Sequence, residues 1–101
     1  MWLILVLAAM QYTPDPPKAK TVGEWLAVCD TDKKRCADQL YDGAWEHSVG
    51  DQKLDFCMPD GGDHQATGQA AAAWLKARSE LHSADAWTGI SKAMVALHPC
   101  R

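Results

Sequence analysis

Four cysteines in a chain of 101 residues, Cys29, Cys36, Cys57 and Cys100, constrain the fold more than any other feature. Three of them flank segments of helical spacing, and the fourth closes the chain in His98-Pro99-Cys100-Arg101. An even cysteine count in so small a protein reads as a disulfide framework if the compartment is oxidising. The apolar run Trp2 to Met10, WLILVLAAM, speaks to the compartment. It is far shorter than the roughly 20 apolar residues that span a bilayer. A Pro-rich polar stretch, Tyr12 to Lys20, follows at once, and Ala8 and Ala9 are small enough for a signal peptidase, although no lysine or arginine precedes the run. The expectation is an exported chain: a signal-peptide-like segment over 1–10, a Pro-rich lead-in over 11–20 and one helical domain over 21–101. The competing reading of 2–10 is a buried first helix.

Without the leader about 90 residues remain, enough for one core but not a generous one. A disulfide closing a loop of 15 to 100 residues contributes about 3 to 5 kcal/mol, comparable with much of the stability of such a domain. The spacing leaves the pairing open. Two antiparallel hairpins would join Cys29 to Cys36 and Cys57 to Cys100. A loop folding back along the second helix would join Cys36 to Cys57 and leave Cys29 for Cys100. The third connectivity has least in its favour. A hydrophobic share of 48% with five tryptophans excludes disorder, and a net charge of −3 argues against a nucleic-acid surface.

Apolar spacing predicts an all-α fold, a small bundle of about four helices stapled by two disulfides, with no convincing strand. The first helix runs over about 21–29, capped by Thr21, with Val22, Trp25, Leu26 and Cys29 on one face. A charged turn, Asp30 to Arg35, leads to a second over about 34–48, with Ala37, Leu40, Tyr41, Ala44, Trp45 and Ser48 inward. Gly43 within it costs about 1 kcal/mol relative to alanine and leaves room for a close helix crossing. Residues 50–62 form a packed loop whose alternating Leu54, Phe56 and Met58 dip into the core. A third helix is expected over about 64–81, with an inner stripe of Ala66, Ala70, Ala73, Trp74, Ala77 and Leu81. A fourth, over about 83–97, starts from a Ser83 cap, buries Trp87, Ile90, Met94 and Leu97, and is ended by Pro99. Trp25, Trp45, Trp74 and Trp87 all fall on predicted inner faces.

The charge is unevenly spread. Between Ala37 and Asp63, seven acids (Asp38, Asp42, Glu46, Asp51, Asp55, Asp60, Asp63) face a single base, Lys53, a net of −6, while the rest of the chain carries +3. The bland reading is a solvated acidic face. The sharper one is a patch that meets a basic partner, and Asp51, Asp55, Asp60 and Asp63 on the long loop are its candidate contacts.

Catalytic and metal chemistry find little support. A Cys–His nucleophile conflicts with cysteines expected to be paired. His47, His64, His82 and His98 lack any tight ligand spacing, and Asp60-Gly61-Gly62-Asp63 lacks the oxygen repeat of a calcium loop. Its acids fit better beside the N-terminus of the third helix, where negative charge is favoured. No catalytic residue, metal or cofactor is expected, and no membrane contact of the mature form.

The order of these elements resembles a known family. A cysteine after a short first helix is followed by one opening the second helix, with an aromatic residue and a glycine one to two turns on, and then by Phe56-Cys57-Met58-Pro59. Thr67-Gly68-Gln69, Trp74-Leu75-Lys76, Glu80-Leu81-His82, Ala86, Ala93-Met94 and a closing Pro99-Cys100 continue the series. Over nearly the whole mature chain it is similar to the type VI amidase immunity (Tai/Rap) family. Gly43 sits about one residue later after Cys36 than the family pattern has it, and Ser79 stands where proline commonly precedes the glutamate. The resemblance implies an all-α periplasmic protein, often a homodimer, that neutralises a peptidoglycan amidase toxin delivered by type VI secretion. It fixes no toxin-contacting residue. The alternative is a small disulfide-stapled periplasmic chaperone of the acid-stress type, for which four histidines and many carboxylates hint at pH switching.

Overall fold

The computed structural model describes residues 18–49, 53–59 and 61–100. They form four α-helices, α1 (Val22–Thr31), α2 (Lys33–Ser48), α3 (His64–Lys76) and α4 (Ala86–Leu97), with a single 3-10 turn, Ser79–Leu81, between the last two. The chain is a small all-α bundle with two disulfides, Cys29–Cys36 and Cys57–Cys100. The two-hairpin pairing is therefore the one adopted. The apolar leader and most of the Pro-rich lead-in lie outside the described residues.

Local chemistry sets the helix ends. The Thr21 hydroxyl accepts from the Glu24 N–H at 3.2 Å, satisfying one orphan donor of α1, and the Glu24 carboxylate reaches back to accept from the Lys20 N–H at 2.8 Å. Asp32 alone makes the turn between α1 and α2. Its N–H donates to Val28 O at 2.8 Å, closing α1, while its carboxylate accepts from Arg35 N–H at 3.0 Å, opening α2. The expected six-residue turn from Asp30 to Arg35 is thus one residue long, because a single aspartate serves as both caps. Asp63 caps α3 through Gln65 N–H at 2.9 Å, and Asp85, not Ser83, caps α4 through Thr88 N–H at 3.1 Å.

The third helix stops at Lys76 rather than Leu81. Its terminal carbonyls find other donors: the Arg78 guanidinium donates to Trp74 O at 2.7 Å, Arg78 N–H donates to Leu75 O at 3.0 Å, and a ring nitrogen of His82 lies 2.9 Å from the same oxygen. The chain then runs beside the start of α1. Val22 N–H donates to Ala84 O, Gly23 N–H to His82 O and Ala86 N–H to Lys20 O, each at 2.9 Å. Thr21 and Asp85 form an isolated antiparallel bridge, and no strand occurs among the described residues.

Trp25, Leu40, Leu75, Met94 and Val22 are fully buried, together with the Cys29–Cys36 bridge. The Trp25 indole N–H does not go unsatisfied there; it donates to Cys36 O at 3.2 Å. Close helix approach depends on glycine. A Cβ on Gly68 of α3 would lie 3.2 Å from Ala37 Cα of α2, and one on Gly89 of α4 would overlap the Val22 side chain of α1. Phe56 is buried from the loop, with Leu54 and Met58 half-buried against the core as expected.

Two inner faces differ from expectation. On α3 the buried residues are Gly68, Ala71, Ala72 and Leu75, while Ala66, Ala70, Ala73 and Ala77 are exposed and Trp74 and Leu81 lie half-buried. With alanine on every side the helix has no apolar stripe to read, and the closest backbone approach, at Gly68, decides which face turns inward. On α2, Ala37, Leu40 and Ala44 are buried and Tyr41 half-buried, but Ser48 is exposed and Trp45 is 70% exposed. Trp74 and Trp87 are half-buried, and Leu97, the last residue of α4, is exposed.

Candidate functional site

Helix α2 presents two different flanks to its surroundings. Gly43 and His47 lie one turn apart on one flank and hold Trp87 of α4. Trp45 lies two residues from each, about 200° round the helix, and so belongs to the other flank.

On the first flank the His47 ring stacks on Trp87, and Phe56 lies tilted against the same indole with centroids 6.1 Å apart. A Cβ at Gly43 would stand 2.6 Å from the Trp87 ring, so the glycine is what admits the indole; the close crossing expected of Gly43 is made by this side chain. Around Trp87 runs a shallow groove of about 310 Å³ lined by His47, Lys53, Asp55, Phe56 and Ser91. It continues into an open depression of about 500 Å³ between Trp74, Thr88, Lys92 and Val95. The Arg78 guanidinium sits over the Trp74 ring, 3.7 Å from its centroid. The Cys57–Cys100 disulfide, with Cys57 N–H donating to His98 O at 2.9 Å, fastens the loop that walls this groove to the end of α4.

The second flank carries Trp45 and Val49, 70% and 54% exposed. Asp38 and Asp42 precede them at helical spacing. Asp38 pairs with Lys34 at 2.9 Å, while no cation pairs with Asp42 among the described residues. Nearby, Tyr41 stacks on His64 with centroids 3.9 Å apart. Behind the helix the lead-in is tied down: Lys18 pairs with Glu46, and Ala19 N–H donates to the Gln39 side chain at 3.4 Å. Lys18 holds the Glu46 carboxyl below its ordinary range by hydrogen bonding and charge, and Asp38 raises Lys34 in the same way.

Two of the four candidate loop acids lie among the described residues. Asp63 is occupied in capping α3, as the reading of the loop acids expected, Asp55 is exposed at the Trp87 groove, and Asp51 and Asp60 lie outside the described residues. All four cysteines are in disulfides. Among the described residues no group of three or more His, Cys, Asp or Glu side chains could hold a metal ion, and no helix is long and apolar enough to cross a membrane. Sequence reasoning missed Trp45 as a surface residue. The signal was present: Ala44, not Trp45, continues the Ala37–Leu40 face, and Trp45 falls about 100° from Ala44.

No family model, curated protein or solved structure matches the chain.

Proposed function

We propose that this chain is an exported binding protein of the immunity type, which neutralises a peptidoglycan amidase delivered by type VI secretion by occluding its substrate groove, without chemistry of its own. The observation that carries the reading is the Cys57–Cys100 bridge, which holds an irregular loop rigidly on a helical frame. Rigid presentation removes the ordering cost a flexible loop would incur on binding, and so favours tight occlusion. The buried Cys29–Cys36 bridge supports an oxidising compartment, which this reading takes to be the periplasm. A protein of this size can offer about 800 Å² to a partner, a standard interface.

The test is co-expression with a peptidoglycan amidase of the type VI class, the product of a neighbouring gene where one is present, directed to the periplasm. Rescue of growth, and binding tighter than micromolar, are the expected results. Failure of both removes the immunity reading. The acid-stress chaperone is then the better account, and His47 and His64, each stacked on an aromatic ring, would be its first residues to examine.

A further inference from the structure

Traced from α1 toward its N-terminus, the chain crosses the bundle along a fixed line. Thr21 bridges to Asp85, and Lys20 O accepts from Ala86 N–H, both at the start of α4. Ala19 N–H then donates to the Gln39 side chain, and Lys18 pairs with Glu46. Gln39 and Glu46 lie two turns apart on α2, about 10 Å along its axis, so the line points to the C-terminal end of that helix. There Lys18 and Ala19 border a small cleft with Gly43, His47 and Trp87. His47 and Trp87 also line the groove that the loop closes, so Lys18 stands at the mouth of that groove.

The groove suits the seven residues that precede Lys18, Gln11-Tyr12-Thr13-Pro14-Asp15-Pro16-Pro17. Trp87, Phe56 and Trp74 make its surface aromatic, and it follows α4 from Trp87 to the 41% exposed Val95, about 12 Å. Three prolines in seven residues favour the extended polyproline conformation, about 3.1 Å per residue, so residues 12–17 reach about 19 Å. Segments of this kind dock in aromatic-lined grooves because little conformational entropy remains to be lost, and proline brings no N–H to be buried. The charge agrees. Asp15 is the one ionised side chain of the seven, and Lys53 and Lys92 outnumber Asp55 on the groove walls among the described residues. The other depression that Lys18 borders is lined by Asp32, Lys34, Arg35, Asp38, Gln39 and Asp42, and offers prolines no apolar side chain.

We infer that residues 12–17 lie along the Trp87 groove as a strap that the chain supplies to itself. Tyr12 and the prolines cover Trp87, Trp74 and Val95, and Asp15 faces Lys53 and Lys92. The inference stands apart from the immunity reading and agrees with its rigid loop. Cys57–Cys100 holds the loop to α4, the strap braces it from within the groove, and its outer side stays open to a partner.

The experiment is solution NMR on the chain purified from the exporting cell, its N-terminus first read by mass spectrometry. Nuclear Overhauser contacts are expected from Pro14, Pro16 and Pro17 to the Trp87 ring and the Val95 methyls. The N–H groups of Tyr12, Thr13 and Asp15 should have order parameters of about 0.85, against below about 0.6 for a free segment. Two variants should release it and bring those values below about 0.6: Val95→Asp at an exposed position, and Pro14, Pro16 and Pro17 changed together to serine. An unchanged helical circular dichroism spectrum shows that the bundle survives in both. A free segment in the parent overturns the inference, as do contacts to the Asp32–Asp42 depression, a mature N-terminus after Pro17, or order parameters that neither variant lowers. Contacts seen only between labelled and unlabelled molecules overturn it in favour of a second copy. A free segment combined with groove shifts on adding a peptidoglycan amidase gives the groove to that partner instead. None of these failures touches the immunity reading, which the co-expression test decides.

Discussion

The imidazole of His47 lies flat against the indole of Trp87, ring centroids 4.6 Å apart and planes within 1° of parallel. One turn earlier on the same helix, Gly43 receives the edge of that indole. Helix α2 therefore seats the Trp87 indole of α4 between a planar ring and a missing side chain.

That seat predicts the effect of Gly43→Ala. Alanine is about 1 kcal/mol better than glycine inside a helix, but its methyl would stand 2.6 Å and 2.7 Å from two carbons of Trp87. Overpacking of this kind costs about 1 to 3 kcal/mol, so the variant should be less stable by about 1 kcal/mol. The midpoint of urea unfolding should fall with an unchanged slope. A rise in the midpoint would mean that Trp87 is free to move aside.

The two disulfides should differ in what they contribute. Their sequence separations are 7 and 43, for which loop-closure entropy gives about 2.5 and 4 kcal/mol. Replacing Cys57 and Cys100 by alanine should therefore destabilise by the larger amount if entropy alone decides. Replacing Cys29 and Cys36 also opens the core, where both are buried, and about 2 kcal/mol of packing loss would bring the two variants level. Peptide mapping should recover Cys29–Cys36 and Cys57–Cys100, with no thiol labelled under denaturing, non-reducing conditions.

Trp25 and Trp45 should behave as opposites. Trp25→Phe removes the indole's hydrogen bond to Cys36 O and leaves a void in a fully buried place, at a cost of about 1 to 3 kcal/mol. Trp45→Phe should change stability by less than about 0.5 kcal/mol, as exposed positions do. Acrylamide quenching of the parent should be reduced by removing Trp45 and hardly altered by removing Trp25. Equal destabilisation by both changes would contradict the exposure of Trp45.

Acid stability should respond to one surface pair. The Glu46 carboxyl is lowered by Lys18, so its contribution is present above the ordinary carboxylate value of 4.5 and disappears as pH falls through the folded value. Lys34 has the opposite sign: raised by Asp38, its contribution is present below 10.5 and is lost as pH rises through the folded value. Both groups are exposed, so the effects are small and screened by salt. Glu46→Gln should flatten the acid limb of the stability profile at low ionic strength and leave the alkaline limb alone. An unchanged acid limb would show that the Lys18 pairing is not populated in solution.

The helices that were well placed from sequence are those whose ends carry their own chemistry. Thr21 with Glu24 announces α1, and the core residues Val22, Trp25, Leu26 and Cys29 follow at clean intervals. Helix α3 was found but turned the wrong way, because an alanine-rich segment has too little contrast between faces for periodicity to choose. Its orientation depends on Gly68 meeting Ala37, a contact between residues 31 apart that no local pattern encodes. The end of α3 was equally hidden, since it is made by Arg78 and His82 capturing carbonyls from outside the helix. Of the candidate loop acids only Asp55 and Asp63 lie among the described residues, and Asp63 is taken up in capping α3. The acids of the loop stood out, and Trp45 was absorbed into the core on the general habit of tryptophan.

The surface bridge has a further consequence for how this chain withstands damage. Joining Cys57 to Cys100 makes a covalent ring that contains α3, the 3-10 turn and α4, while α1 and α2 hang outside it. A protease that cuts at the exposed Ser79–Glu80 step would open the ring without releasing a fragment. The two pieces would stay joined through Cys57 and Cys100, so a nicked molecule keeps its mass on a gel until a reductant is added.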